Sequence, residues 1–157
     1  MKKFLLILSM FLLSASMSAQ DYTKIEIDVD GIFIGTKNGY SDVVAKLGKP
    51  DSHDTYEAED GMSDDYYYGK NWLHFEADGF FVNFCLNDSR FAALTSLMKG
   101  GIRVGDPITK ASPLSPTIHI KREDGVTVYI IYQLWDEIVY SEVKNGIIIS
   151  IWYAMST

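Results

Sequence analysis

The chain has little cysteine, little proline and little positive charge. Cys85 is the only thiol in 157 residues, so no internal disulfide can form and stability must come from an apolar core. A lone cysteine of this kind reads first as a small buried hydrophobe. No CxxC, HExxH, GxSxG or cysteine–histidine zinc spacing occurs, which removes the short motifs of redox, zinc and hydrolase chemistry. Lys and Arg number 14 against 21 Asp and Glu, and the only adjacent basic pair beyond the N-terminus, Lys121-Arg122, runs straight into Glu123-Asp124. That balance disfavours nucleic acid and anionic membrane as partners, because both require a concentrated positive surface. Long apolar runs are also missing. The longest, Phe4–Leu13, is ten residues and would rise only about 15 Å in a hydrocarbon core of about 30 Å.

That run has a different use. Met1-Lys2-Lys3 precedes it and the small residues Ser14–Ala19 follow it, the order of a secretory signal peptide. Cleavage is expected after Ala19 or Ser18. Taking residues 1–19 as the signal leaves 138 residues with 12 basic against 21 acidic side chains. No cysteine stands near the junction to carry a lipid anchor, so the mature chain is expected to be soluble, without a membrane span, and periplasmic or secreted. With 47% hydrophobic and 22% charged residues the chain is a folded one, of a size for one domain or two small modules.

A pattern occurs twice. Gly31-Ile-Phe-Ile-Gly35 returns 70 positions later as Gly101-Ile-Arg-Val-Gly105, Glu59-Asp60-Gly61 returns as Glu123-Asp124-Gly125, and the turn signal Asp78-Gly79 returns as Asn145-Gly146. The expected architecture is α+β: two tandem repeats, 20–99 and 100–157, each a short helical segment plus an antiparallel β-meander. In the first, Tyr40–Leu47 reads as a two-turn helix, capped by Ser41, with Val43, Val44 and Leu47 on one face and Gly48 and Pro50 ending it. In the second, Pro107, Pro113 and Pro116 shorten the helix to one turn or remove it. A two-residue turn at Asp78-Gly79 pairs Leu73 with Phe84, Phe75 with Val82 and Ala77 with Phe80, leaving Trp72, His74, Glu76, Phe81, Asn83 and Cys85 on a half-wet face. The same exercise around Asn145-Gly146 assigns Ile138, Tyr140, Ile147, Ile149, Ile151 and Tyr153 to one core face. Residues 25–34 read as extended, and 91–97 fits a linker helix or an extra strand equally. The hairpins build either one long curved antiparallel sheet or two adjoining four-stranded sheets.

The glycine-bounded entry, the short helix with Val43, Val44 and Leu47, and the Gly48-Lys49-Pro50 stop resemble the repeat unit of β-lactamase-inhibitor-like proteins and small outer-membrane-assembly lipoproteins. The likeness covers Gly31 to about Leu86, and Gly101 to Tyr153 in strand and turn order. It implies an exported scaffold that binds protein through an exposed sheet face and its loops. The lipoproteins' anchor cysteine is absent and the second helix is eroded, so no residue role is carried over.

Asp51 to Asp65 holds seven carboxylates and no Lys or Arg. Its spacing lacks the one-three-five loop of a calcium site, so no metal or cofactor is expected. Interleaved tyrosines make it a candidate binding surface for a basic protein or a polyol: Tyr56, Glu57, Glu59, Asp60, Asp64, Asp65, Tyr66, Tyr67, Tyr68 and Trp72. Three consecutive tyrosines on a strand cannot share one side. For catalysis the best grouping is Cys85 with His74 as diagonal neighbours and Glu76 as orienter, but no oxyanion donors accompany it. The expected function is a non-catalytic exported module that binds another envelope or secreted protein with a basic surface. The competing expectation is a small secreted enzyme or ligand-binding protein with its site between the repeats, near His74 and Cys85.

Overall fold

A computed structural model describes residues 26–59 and 61–155, so the signal segment and Asp60 lie outside the described residues. Strands β1 (Asp28–Val29) and β2 (Ile32–Phe33) form a small antiparallel ribbon, followed by helix α1 (Tyr40–Leu47). Strands β3 (Ser52–Ala58), β4 (Gly61–Tyr68), β5 (Asn71–Glu76) and β6 (Phe80–Leu86) form one meander, and β7 (Thr117–Lys121), β8 (Val126–Leu134), β9 (Glu137–Lys144) and β10 (Ile147–Met155) form another. All eight belong to one antiparallel sheet in the order β3-β4-β5-β6-β10-β9-β8-β7. The two meanders join at their last strands, where Ile151 stands opposite Leu86 and Trp152 opposite Cys85.

This corrects the expected α+β architecture of two helix-plus-meander repeats. The molecule is mostly β, and among the described residues its helical material beyond α1 is 3-10 turns at Ala77–Gly79 and Ile108–Leu114. Pro113 inside the second of these lacks the N–H that a continuing α-helix needs. The helix α1 spans the expected residues, but Gly39 rather than Ser41 stands at its N-cap and the Asp42 carboxylate accepts the Gly39 N–H at 3.1 Å. What the two glycine-bounded segments share is backbone docking. Gly35 N–H donates to Phe81 O at 2.7 Å and Gly105 N–H to Ile148 O at 2.8 Å. Likewise Asn38 N–H reaches Gly79 O at 2.8 Å and Ile108 N–H reaches Gly146 O at 2.9 Å.

One face of the sheet is core. Leu73, Phe75, Phe81, Phe84, Ile148, Ile151 and Tyr153 are buried in one cluster with Ile27, Ile32, Val43, Leu94 and Ile102. Phe75, Phe81, Phe84 and Tyr153 stack in series at 5.0, 6.1 and 6.2 Å between centroids. Each such side chain contributes about 1.5–3 kcal/mol by leaving water, which is what holds irregular covering segments onto a sheet with so little helix. Residues 91–97 are neither helix nor strand: Phe91 to Leu94 are buried, and Ala93 bridges both Val29 and Ile102.

Two bulges reset the expected faces. Val82 is an extra residue in β6, so Phe75 pairs with Phe81 and Glu76 with Phe80, and Phe81 turns into the core instead of outward. Ile149 is an extra residue in β10. Ile147 and Ile149 are therefore 40% and 36% exposed while Ile148 and Ile151 are fully buried, and Tyr140 faces Trp152 rather than Ile151. A single inserted residue exchanges the two faces of a strand from that point on.

Candidate binding face

The other face of the sheet carries a row of side chains at right angles to the strands. Register partners run Tyr67 to Trp72, Trp72 to Cys85, Cys85 to Trp152, Trp152 to Tyr140 and Tyr140 to Ile130, one residue from each of six adjacent strands, β4 through β8. All six are half-buried. The alternation of a strand explains why they share a face, and the β6–β10 junction explains why two short rows become one.

The rings on this face stand against each other. Tyr56, His74 and Trp72 form a near-parallel stack, with 6.3 Å and 12° between the first pair and 5.7 Å and 13° between the second. Tyr140 and Trp152 stack at 5.4 Å and 23°, and His119 leans on Tyr140 at 5.4 Å. The imidazole of His74 donates from Nδ1 to Asp65 at 2.7 Å, with the Tyr56 hydroxyl 3.4 Å from the same nitrogen. Partial burial and the Asp65 carboxylate raise the Tyr56 phenol above its ordinary pKa, and burial with Asp65 and Asp54 does the same for Tyr67.

The residues singled out in sequence are divided between the two faces. Tyr56, Asp65, Tyr67 and Trp72 belong to the aromatic face. Tyr66 and Tyr68 point into the core, where Tyr66 packs on Phe75 at 5.0 Å and Tyr68 donates to Gly48 O at 3.1 Å; burial pushes both phenols up to about 12. Asp64 lies on the core side and accepts from His53 at 2.8 Å and Thr55 at 2.7 Å. Glu57 is exposed on β3, Glu59 is exposed in the turn, and Asp60 lies outside the described residues.

His74 and Cys85 share the aromatic face, but no hydrogen bond joins them. The group on the imidazole is Asp65, not Glu76, which sits exposed at the end of β5, and the Cys85 sulfur accepts from Asn87 at 3.3 Å. An open groove of about 390 Å³ lies elsewhere, at the β7–β8 edge, lined by Leu114, Ser115, Thr117 and Ile130 to Gln133. Sequence reasoning missed Trp152, Tyr140, Ile130 and His119. The bulge at Ile149 hid the pairing of Trp152 with Tyr140, and nothing local announces that β6 and β10 are neighbours. Among the described residues no helix is long and apolar enough to cross a membrane, and no three metal-binding side chains converge. Comparison with known protein families, curated proteins and solved structures returned no match.

Proposed function

We propose that this chain is an exported, non-catalytic module that docks another envelope or secreted protein on the aromatic face of its sheet. The observation that carries the reading is the half-buried row from Tyr67 through Trp72, Cys85, Trp152 and Tyr140 to Ile130. At about 4.8 Å per strand, six strands extend about 24 Å. A standard interface of about 800 Å² per partner is about 28 Å across, so the row matches the centre of a protein contact. Trp and Tyr at such a centre carry most of the binding energy. Asp54 and Glu76 on the same face have no ion-pair partner among the described residues, which favours a basic partner surface. Stacked rings that fill the centre of the face favour a protein over a small molecule, which needs a concave site.

A photo-crosslinking side chain at Tyr140 is expected to yield one discrete protein adduct in the exported fraction. The same probe at Asp124, away from the row, yields none. Trp72→Ala with Trp152→Ala is expected to weaken that complex by at least about thirtyfold. Equal adducts from both positions, or unchanged binding by the folded double variant, would remove the face as the docking surface. Sequencing the N-terminus of the exported chain checks the cleavage site independently.

A further inference from the structure

The two edges of the sheet are built differently. Strand β7 has five residues, carries an extra residue at His119 that interrupts its register with β8, and ends in Lys121. Shortness, a bulge and a lysine each discourage a further strand from adding. Strand β3 has seven residues, all exposed, and contains neither proline nor lysine. It pairs with β4 in unbroken register from Ser52–Tyr67 to Ala58–Gly61. Among the described residues nothing pairs with its outer edge.

That edge is also held in shape. His53 and Thr55 both donate to the Asp64 carboxylate of β4, at 2.8 and 2.7 Å, so side chains on the core side of β3 are tied to the neighbouring strand. Its unpaired N–H and C=O groups are thus set out before any partner arrives, which lowers the ordering cost of adding a strand. The charge on the edge then selects the partner. Asp51, Asp64 and Asp65 have cationic or imidazole partners, whereas Asp54 and Glu57 have none among the described residues. Asp54 and Glu57 are three residues apart and therefore project to opposite faces of the sheet. A second copy pairing edge to edge would set two strands of acidic character and no Lys or Arg side by side, while a strand with Lys or Arg three apart would meet one carboxylate on each face.

We propose that β3 is an acceptor edge for an extended basic segment of a partner protein, which adds beside β3 with its cations three residues apart. This edge adjoins the aromatic face and shares Asp54 with it, but the strand pairing proposed here does not need the aromatic row.

The probe is a short Val- and Thr-rich synthetic peptide with two lysines three apart, titrated into isotope-labelled protein. The amide signals of Ser52–Ala58 are expected to shift, and their hydrogen exchange is expected to slow. Of two peptides N-methylated on alternate residues, the one whose edge-facing amides are blocked should bind about tenfold more weakly than the other. Moving the lysines to two apart, or Asp54→Lys with Glu57→Lys in the protein, should each weaken binding by about threefold or more. Trp152→Ala should leave peptide binding unchanged. Shifts mapping away from β3, equal binding by both N-methylated peptides, or no shift in β3 at millimolar peptide would each overturn the proposal. Loss of binding in Trp152→Ala would assign the peptide to the aromatic face and overturn it as well.

Discussion

Replacing Asp28 with alanine removes the acceptor around which the N-terminal ribbon and the inter-meander linker are joined. The side chain is fully buried. One carboxylate oxygen accepts Gly31 N–H at 2.7 Å and the Thr95 hydroxyl, and the other accepts Ser96 N–H at 2.9 Å with the Ser96 hydroxyl at the same distance. Alanine leaves two backbone N–H groups and the Thr95 hydroxyl without their acceptor, each costing about 1–3 kcal/mol if no water replaces it. Removing a carboxylate from a buried site returns part of that, because its own desolvation is relieved. The expected net loss is about 3 kcal/mol, a large share of the 5–15 kcal/mol typical of a domain. Urea titration followed by tryptophan fluorescence reads this as a midpoint lower by about 1–3 M at unchanged slope. Asp28→Asn, which keeps one acceptor oxygen, should fall between alanine and wild type. The control is Lys37→Ala, which breaks only the exposed 4.0 Å contact with Asp78 and should cost under about 0.5 kcal/mol. A shift for Asp28→Ala no larger than that for Lys37→Ala would refute the carboxylate as the joint.

Three further outcomes are expected. Gly101→Ala places a Cβ 2.4 Å from Ala93 O at φ +54°, and Gly79→Ala places one 2.5 Å from Asn38 O at φ +82°, so each should cost about 2–4 kcal/mol in urea titration; Gly125→Ala, at φ +81° with nothing within 4 Å, should cost only about 1 kcal/mol of conformational strain. Trp135→Gly should raise stability by about 1 kcal/mol, because Trp135 is 87% exposed and held at φ +59° in the β8–β9 turn where glycine carries no Cβ penalty; an unchanged or lower midpoint would count against that strain. In spectrophotometric titration Tyr66 and Tyr68 should ionise near pH 12 rather than 10, and since the folded state then holds protons that the unfolded chain has released, stability should fall as pH rises from about 10 through 12. Loss of Tyr66→Phe and Tyr68→Phe absorbance changes at ordinary phenolic pH instead would contradict their burial.

Much of the local structure was determined by the sequence alone, because its causes lie within a few residues. Tyr40–Leu47 is helical because its apolar positions recur at helical spacing and Gly48 stops it, and Tyr66, Tyr67 and Tyr68 divide core-outer-core because strand side chains alternate. Antiparallel hairpins were readable from Asp78-Gly79, Asp124-Gly125 and Asn145-Gly146 for the same reason. The tertiary structure decided the rest. Bulges at Val82 and Ile149 are single extra residues with no local signature, yet each resets which side chains share a face: between the turn and the first bulge Phe81 rather than Phe80 meets the core, and beyond the second Trp152 is set beside Tyr140. The sheet has too little helix for two α+β units because irregular segments such as Phe91–Leu94 bury as well as helices do once a β core exists to receive them. The aromatic row depends on β6 pairing with β10 across more than sixty residues of chain, a choice made by the whole buried surface at once and by no neighbouring side chain.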